Sequence, residues 1–296
     1  MPPQASLRLA ESTAQRKRAA VALALREWAK IDLDGDWLAQ WRQILPRVVA
    51  ITGLAQAEAA RLGAESVGLA LASRGYMGEA AEVLAAGFAG WIEPPGAVGM
   101  IPLSQALYEA PIVTARRAGD LAAGARWLQG LIETAIGDAG RNGTQAGIVG
   151  RSKVFGTFYE PGDMCQRCAV LVGKRLHWGV DFKRHPRCDG TIVPIGAKEQ
   201  PDFTLDSARV KDLTAAQRQA IDDGADFNRV VNANAPRYDR AADLWRPSTY
   251  DSGSRTIAGS GRRSDGERLT PKGIYQTADD DRQNALQLLR DNGYLV

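Results

Sequence analysis

Three cysteines and a histidine near the middle of the chain constrain its fold more than any other feature. They are spaced as Cys165-x2-Cys168 and His185-x2-Cys188, and residues 165–188 hold all three cysteines and both histidines of the chain. Two motifs of this spacing each present a pair of ligands, which suits the tetrahedral sulfur and nitrogen coordination that zinc prefers. The spacing therefore predicts one structural zinc ion bound by Cys165, Cys168, His185 and Cys188.

Two other interpretations of the cysteines are a redox Cys-x2-Cys motif and a set of unrelated buried thiols. A redox motif normally begins a helix that follows a strand of a βαβ unit, and the sequence around Cys165 indicates no such unit. Unrelated thiols would not explain why Cys188 follows a histidine at the same spacing. Zinc can also contribute on the order of 10 kcal/mol to local folding, which suits a segment with few apolar residues.

Four protein ligands leave zinc no open coordination position, which favours a structural ion over a catalytic one. His177 is the residue that an enzymatic interpretation would use: it could act as a general base oriented by Asp181, as a zinc-dependent nuclease would require. His177 could also replace His185 as a ligand, but the His-x2-Cys spacing favours His185. A partly exposed position beside Trp178 is the simpler interpretation of His177.

The charge and composition exclude several classes of protein. A net charge of +3 is too small for a protein that wraps nucleic acid. The low charge and the absence of a basic recognition helix also argue against a zinc-finger DNA-binding protein. That class nevertheless stays an alternative. Polar residues interrupt the most apolar stretch, residues 48–60, and the first residues are polar, so we predict neither a transmembrane span nor a secretory signal. We expect a cytoplasm-like compartment, where cysteines stay reduced and bind metal in preference to forming disulfides.

The sequence also lacks the common catalytic and phosphate-binding motifs. It has no nucleophile elbow and no glycine-rich phosphate loop in a strand–helix context. Asp32-x-Asp34-x-Asp36 resembles the start of a calcium loop, but Trp37 and Gln43 stand where that loop needs glycine and glutamate. We therefore predict that the chain is not an enzyme.

The first half of the chain, residues 1–150, is alanine-rich and predicts a helical domain. Apolar residues recur at helical spacing in residues 14–30, in residues 36–48 with their continuation at 55–72, and in residues 114–140. Asp36 predicts the N-cap of the second helix, Pro46 a bend or a break within it, and Asn142-Gly143 a break after the third. The Gly/Pro-rich residues 75–102 predict a loop with short helical pieces.

The pattern changes near Arg151. Residues 154–159 and 191–194 predict two short strands on either side of the cysteines, so residues 151–200 form a small α+β zinc-binding module. Residues 201–296 predict short helices and an extended arm. Within the arm, residues 251–268 are rich in Gly, Ser, Asp and Arg, and we expect them to be flexible until a partner binds.

The predicted helices of this last part carry clear boundary signals. Thr214 and Gln217 have the spacing of a capping box, and Gly224 predicts the end of the helix that they begin. Pro271 predicts the first position of another helix. The last helix is predicted over residues 279–290, with Gly293 ending it. The predicted fold is therefore mainly α, with one small α+β module between two helical parts.

Two short runs of basic residues, Arg16-Lys17-Arg18 and Arg262-Arg263, interrupt this pattern. Such runs are most simply solvated surface. Contact with packaged DNA or with an acidic partner is the second interpretation.

Several segments of the chain together resemble one family. Cys165-Gln-Arg-Cys168 and the residues Arg-His-Pro-Arg-Cys at 184–188 resemble the C-terminal motif of the MuF-like minor capsid proteins of tailed phages, especially those of actinobacterial hosts. Residues 213–226, 269–275 and 280–290 resemble family segments as well, and an alanine-rich helical half precedes the motif. Such proteins often read His-Pro-x-Cys-x-Cys, and the second of those cysteines is Gly190 in this chain.

The resemblance implies a structural virion protein that is built into the phage head after synthesis in the host cytoplasm. Members of the family are thought to associate with the portal or the inner head and to aid head morphogenesis or DNA ejection. We therefore expect the portal protein, the major capsid protein or both as partners, contact with packaged DNA as a further expectation, and no membrane.

Overall fold

A computed structural model gives the fold of most of the chain. The residues that it describes are 2–32, 34–76, 82–92, 100–151, 153–176, 189–201, 203, 205–232, 237–239, 244–246, 254–256, 267–269, 271–279, 281–291 and 295. The chain is mainly helical with small sheets, which confirms the predicted class. It divides into two compact units, Met1–Gly162 with Leu171–Leu205, and Asp163–Val170 with Asp206–Val296. The predicted division was 1–150, 151–200 and 201–296.

The first unit consists of helices and a small sheet. Its helices are α1 (Gln4–Trp28), α2 (Trp37–Ala72), α3 (Leu103–Leu107), α4 (Ala110–Ala118) and α5 (Leu121–Val149). Its strands are β1 (Trp91–Ile92), β2 (Ile101–Pro102), β3 (Val154–Tyr159), β4 (Arg175–Leu176) and β5 (Thr191–Gly196), and a 3-10 turn spans Ala85–Phe88. Helices α1, α2 and α5 pack against one another and enclose most of the core.

Helix α2 begins where the sequence predicts, because Asp36 accepts hydrogen bonds from the backbone amides of Leu38 and Ala39 at 3.0 and 3.3 Å. Pro46 does not end the helix, which continues to Ala72. The proline is exposed, so water can bind the carbonyl of Arg42 that its missing N–H leaves without a helical partner.

Two predicted boundaries in the third helical segment are wrong. The segment predicted over residues 114–140 is two helices, because Gly119 adopts a left-handed φ of 65° and the Asp120 side chain caps α5 by accepting from Ala122 at 2.8 Å. The break predicted at Asn142-Gly143 is absent, and α5 continues to Val149. A Cβ at Gly143 would overlap the backbone of Ala60, so this glycine allows α5 to approach α2 closely.

The core of this unit is organised around two tryptophans. Trp41 is completely buried, its indole N–H donates to the Leu107 carbonyl at 2.9 Å, and its ring meets that of Trp28 edge-on at 5.3 Å between centroids. Gln56, also buried, donates to the Trp91 carbonyl at 2.7 Å and accepts from the Gly90 amide at 2.8 Å. These hydrogen bonds attach β1 and α3 to α2.

The three-stranded sheet of this unit has the order β4-β3-β5, with both outer strands antiparallel to β3. The strand predicted over residues 154–159 is β3, and the strand predicted over 191–194 is β5, which extends to Gly196. Strand β5 pairs with β3 along its whole length, from Tyr159↔Thr191 to Val154↔Gly196. All six residues of β5 are buried, so the sheet belongs to the core of the unit.

The second unit consists of short elements. Its helices are α6 (Gln166–Ala169), α7 (Ala215–Asp222), α8 (Phe227–Asn232), α9 (Pro271–Ala278) and α10 (Arg282–Asp291), and a 3-10 turn spans Ser207–Arg209. Its strands form two antiparallel pairs, β6 (Arg237–Asp239) with β7 (Leu244–Arg246) and β8 (Ser254–Thr256) with β9 (Glu267–Leu269). Of the predicted arm, residues 251–268, the structure describes only 254–256 and 267–268, and Arg262-Arg263 lie outside the described residues.

Most of the predicted helix boundaries in this unit are confirmed. Thr214 and Gln217 form the capping box of α7, with hydrogen bonds of 3.2 and 2.9 Å, and Gly224 follows the helix with a φ of 93°. Pro271 is the first residue of α9. The last helix begins later than predicted, because the Asp281 side chain caps it at residues 283 and 284. Gly293 lies outside the described residues.

Within the described ranges, no helix combines the length and the apolar character that crossing a membrane requires.

Candidate metal centre

The first pair of predicted zinc ligands lies on a single helical turn. Cys165 is the N-cap residue of α6, with an extended backbone (φ −83°, ψ 163°), and Cys168 is the third residue of that helix. Cys168 is buried, with 4% of its surface exposed, and Cys165 is half-buried. Side chains at the N-cap and third positions of a helix lie near each other, as they do in a capping box, so both thiols can serve one ion.

The loop of residues 209–212 holds this turn in place. Met164 donates its amide to the Arg209 carbonyl at 2.9 Å and accepts from the Lys211 amide at 3.0 Å. The Asp212 carboxylate accepts from the Gln166 amide at 3.0 Å, and the Gln166 side chain donates to the Asp212 carbonyl. These contacts restrain the backbone on either side of Cys165.

The second pair of predicted ligands, His185 and Cys188, lies outside the described residues, as do His177 and Asp181. The prediction that all four ligands converge therefore stays a prediction. Among the residues that the structure does describe, no group of three or more metal-binding side chains is found. The two described cysteines fit zinc by their chemistry, because thiolates are the soft ligands that structural zinc sites use.

The position of Cys165 at a helix start bears on the redox interpretation. Redox Cys-x2-Cys motifs begin a helix, and α6 does begin at this motif. The helix is, however, a single turn and is preceded by an isolated bridge between Met164 and Val210, with no βαβ unit among the described residues around it. The described residues around α6 therefore lack the βαβ context in which a redox Cys-x2-Cys motif normally lies.

Two buried cations hold the residues that follow Cys188. Lys17, on α1, donates to the Asp189 carboxylate at 2.9 Å, and its side chain is only 9% exposed. Arg141, on α5, donates to the Gly190 carbonyl at 2.9 Å and to the Asp138 carboxylate at 2.5 Å, and its side chain is also 9% exposed. Both interactions join the helices to the residues just before β5.

Sequence reasoning missed this role for Lys17 and Arg141. Lys17 belongs to the basic run Arg16-Lys17-Arg18, for which the sequence favours solvated surface, yet Lys17 is buried. Arg16 pairs with Glu58 at 2.7 Å, and Arg18 is the exposed member of the run. The partners of Lys17 and Arg141 lie 172 and 49 residues away in the chain. No local pattern marks a contact over such distances, so only the fold reveals it.

The structure gives a physical reason for Gly190. A Cβ at this position would overlap the ring of Phe158 and lie 3.2 Å from a carboxylate oxygen of Glu160. Phe158 is completely buried and Glu160 is 3% exposed, so neither has room to move away. A cysteine, which often stands here in the family that the sequence resembles, does not fit this packing.

Lys17 and Arg141 also line a cavity of about 330 Å³ in the first unit. The charged residues of its lining are two cations and two acids, because Glu11 and Asp189 face the same space. The formal charges of the lining therefore balance.

The segments that carry the family resemblance meet in the second unit. Residues 213–226, 269–275 and 280–290 contribute Ala220, Ala225, Ile274 and Leu289 to one buried cluster, which Val230 completes. The Tyr275 hydroxyl donates to the Asp223 carboxylate at 2.7 Å, and Arg282 pairs with the same carboxylate at 3.0 Å. Partial burial, together with the hydrogen bond to Asp223, raises the pKa of Tyr275 well above its usual value.

Comparisons of the chain with protein-family models, with curated proteins and with solved structures found no match. The resemblance to MuF-like proteins therefore rests on the motifs in the sequence. What the chain does follows, as a proposal, from those motifs and from the contacts that their residues make.

Proposed function

We propose that the chain is a structural virion protein, a minor capsid or head morphogenesis component of a tailed phage. It acts by binding the portal protein, the major capsid protein or both, and it catalyses no reaction. The observation that carries the proposal is that the three C-terminal segments resembling the family form one hydrophobic cluster. Residues that are scattered in the sequence are thus joined in a single structure, as expected if the resemblance reflects a shared fold.

In this proposal a zinc ion bound by Cys165, Cys168, His185 and Cys188 stabilises residues 151–200. The ion supplies no chemistry beyond its bonds to these four side chains, and binding of this kind contributes on the order of 10 kcal/mol to folding. The contacts of Met164 and Gln166 support the role of the first pair, because they hold the backbone on either side of the cysteine turn. The extended arm of residues 251–268 belongs to the same proposal as a segment that orders on a partner.

The first unit offers an apolar surface that suits a binding role. Leu54 on α2 and Leu84 are 75% and 80% exposed, and Trp91 and Met100 are each more than 40% exposed. A Cβ at Gly53 would lie 3.8 Å from the Gly90 amide, so α2 approaches the segment that ends in Trp91. Exposed apolar side chains that form a continuous patch often mark contacts with another protein.

Purified virions and the purified chain test this proposal. We expect peptides of the chain in virions, co-purification of the tagged chain with portal or capsid protein, and one zinc per chain by elemental analysis. Finding the chain only in unassembled extract, and never in virions, would contradict the proposal. Metal-dependent DNA cleavage that His177→Ala abolishes would replace it with the nuclease alternative.

A further inference from the structure

The cavity of the first unit is enclosed on three sides. Helix α1 forms one wall, on which Leu7, Ala10, Ala14 and Lys17 follow one another at helical spacing. Helix α5 forms the second wall, and the residues that follow β3 and precede β5 close the third side. Its volume of about 330 Å³ lies within the range of small-ligand pockets, which begins at about 300 Å³. The cavity is therefore large enough for a small molecule.

The Lys17 ammonium lies at the wall of this cavity. A Cβ at Gly137 would lie 2.9 Å from its Nζ atom, and the Asp189 carboxylate accepts from the same atom at 2.9 Å. Gly137 and Asp189 both line the cavity. Only 9% of the Lys17 side chain is exposed, whereas 65% of the Asp189 side chain is exposed. The positive charge is therefore buried, and its counter-charge lies toward solvent.

The Lys17 ammonium has more donors than acceptors around it. It carries three N–H groups, and Asp189 supplies the one acceptor within hydrogen-bonding distance among the described residues. A buried donor without an acceptor is costly, so the other two N–H groups favour an acceptor inside the cavity. Arg141 differs, because its guanidinium already binds the Asp138 carboxylate and the Gly190 carbonyl. Lys17 is therefore the cation of the lining that a ligand oxygen can bind.

We infer that this cavity is a binding site for a small monocarboxylate with a short apolar chain. The two carboxylate oxygens accept from the two remaining N–H groups of Lys17, and the chain lies along the apolar residues of the α1 wall. A phosphate dianion fits less well, because its second negative charge would lie near Glu11 and Asp189. The inference goes beyond the virion role proposed above and does not depend on it.

A ligand titration of the full-length chain, followed by saturation-transfer NMR, tests this inference with hexanoate as the probe. We expect hexanoate to bind with a dissociation constant on the order of 1 mM, as a ligand of so few atoms does. Hexan-1-ol has the same chain without the charge, and hexylamine has the opposite charge, so both should bind about tenfold more weakly or worse. Inorganic phosphate represents the other oxyanion and should not displace hexanoate.

Three variants connect the binding to the cavity. Lys17→Met should weaken hexanoate binding about 10–100-fold, because hydrogen bonds from a charged donor are lost. Asp189→Asn should strengthen it roughly two- to fivefold, because the ligand then replaces Asp189 as the counter-charge of Lys17. A general loss of structure would weaken binding in both variants, so opposite effects identify the ammonium as the binding group. Ala14→Leu, which keeps Lys17 and fills the space, should abolish binding.

Arg18→Met is the matched control, since Arg18 follows Lys17 on α1 but is exposed and does not line the cavity. It should bind hexanoate like the wild type. The inference would be overturned if the wild type bound hexanoate no better than hexan-1-ol, if phosphate displaced hexanoate, or if Lys17→Met bound hexanoate like the wild type. Should Lys17→Met fail to fold, Asp189→Asn and Ala14→Leu decide, and unchanged hexanoate binding in both would overturn the inference.

Discussion

Glycine at position 143 shows how one missing methyl group sets the distance between two helices. A Cβ there would overlap the Ala60 backbone, which cannot rotate away as a side chain could. We expect Gly143→Ala to lower the free energy of unfolding by about 1–3 kcal/mol, as overpacked cores do. Chemical denaturation of the two proteins measures the difference.

Gly68→Ala is the control for this prediction, because Gly68 also lies within a helix, α2. An added methyl group at Gly68 would have only the flexible end of the Arg151 side chain within 4 Å. Alanine is favoured over glycine in a helix by up to about 1 kcal/mol, so this variant should be as stable as the wild type or more so. Equal effects of the two substitutions would contradict the close approach.

Gly190 leads to a second prediction at the same scale. We expect Gly190→Ala to lower the free energy of unfolding by about 1–3 kcal/mol, because the added methyl group meets the buried Phe158 ring. Thermal unfolding followed by circular dichroism measures the change. Gly162→Ala, where an added methyl group would meet nothing within 4 Å, serves as the comparison and should unfold at the wild-type temperature.

At the scale of elements, the structure agrees with the sequence at several boundaries that neighbouring residues decide, although the equally local caps at Asp120 and Asp281 were not predicted. The caps at Asp36 and Thr214 were predictable, because each side chain accepts a hydrogen bond from a backbone amide two or three residues later. The start at Pro271 was predictable because proline suits the first position of a helix. A glycine in the sequence does not by itself show whether a helix ends there. Gly119 ends α4 through its left-handed backbone. Gly143 lies within α5, where its lack of a side chain allows close packing against α2.

The interaction between α7, α9 and α10 gives a third prediction. The Asp223 side chain is only 5% exposed, and its carboxylate accepts from the Tyr275 hydroxyl and pairs with the Arg282 guanidinium. Tyr275→Phe removes one of these donors, so we expect it to lower the free energy of unfolding by about 1–2 kcal/mol. Tyr108→Phe, at a side chain that is 46% exposed, is the control and should have little effect.

The pH dependence of this difference checks its cause. The pKa of Tyr275 is raised in the folded chain above its ordinary value of 10.0, so the folded state keeps its proton where the unfolded state loses it. The stabilisation from the hydroxyl is complete below pH 10 and declines as the pH rises further. The gap in unfolding free energy between wild type and Tyr275→Phe should therefore narrow above about pH 10. A gap that stays constant there would argue against a raised pKa of Tyr275 in the folded chain.

At the scale of the whole molecule, the identity of the histidine ligand can be tested directly. We expect His185→Gln to lose the bound zinc, because a zinc site with three remaining ligands binds far more weakly. His177→Gln should keep one zinc per chain, since its spacing from Cys188 does not match a ligand pair. Elemental analysis after gel filtration measures both. Retention by the first variant and loss by the second would reassign the ligand.

Of the candidate metal centre, the sequence predicts four ligands, and the structure describes two of them, Cys165 and Cys168. Cys165 and Cys168 are recognisable by a spacing of three residues, which one helical turn explains. Lys17 and Arg141 could not be predicted, because their partners Asp189 and Gly190 approach only after α1, α5 and β5 have packed. Contacts between residues so far apart in the chain are set by the fold and leave no local signal in the sequence.

The pairing of β5 with β3 has a consequence for how the protein is synthesised and dissected. The helices of the first unit cannot complete their packing until residue 196 has been synthesised and has left the ribosome, because β5 is buried in the core of this unit. Lys17 also forms its ion pair with Asp189, which precedes β5. A recombinant fragment that stops at residue 150 would leave Lys17 without that carboxylate and Arg141 without the Gly190 carbonyl. Fragments meant to isolate the helices should therefore extend to about residue 205, where the first unit ends.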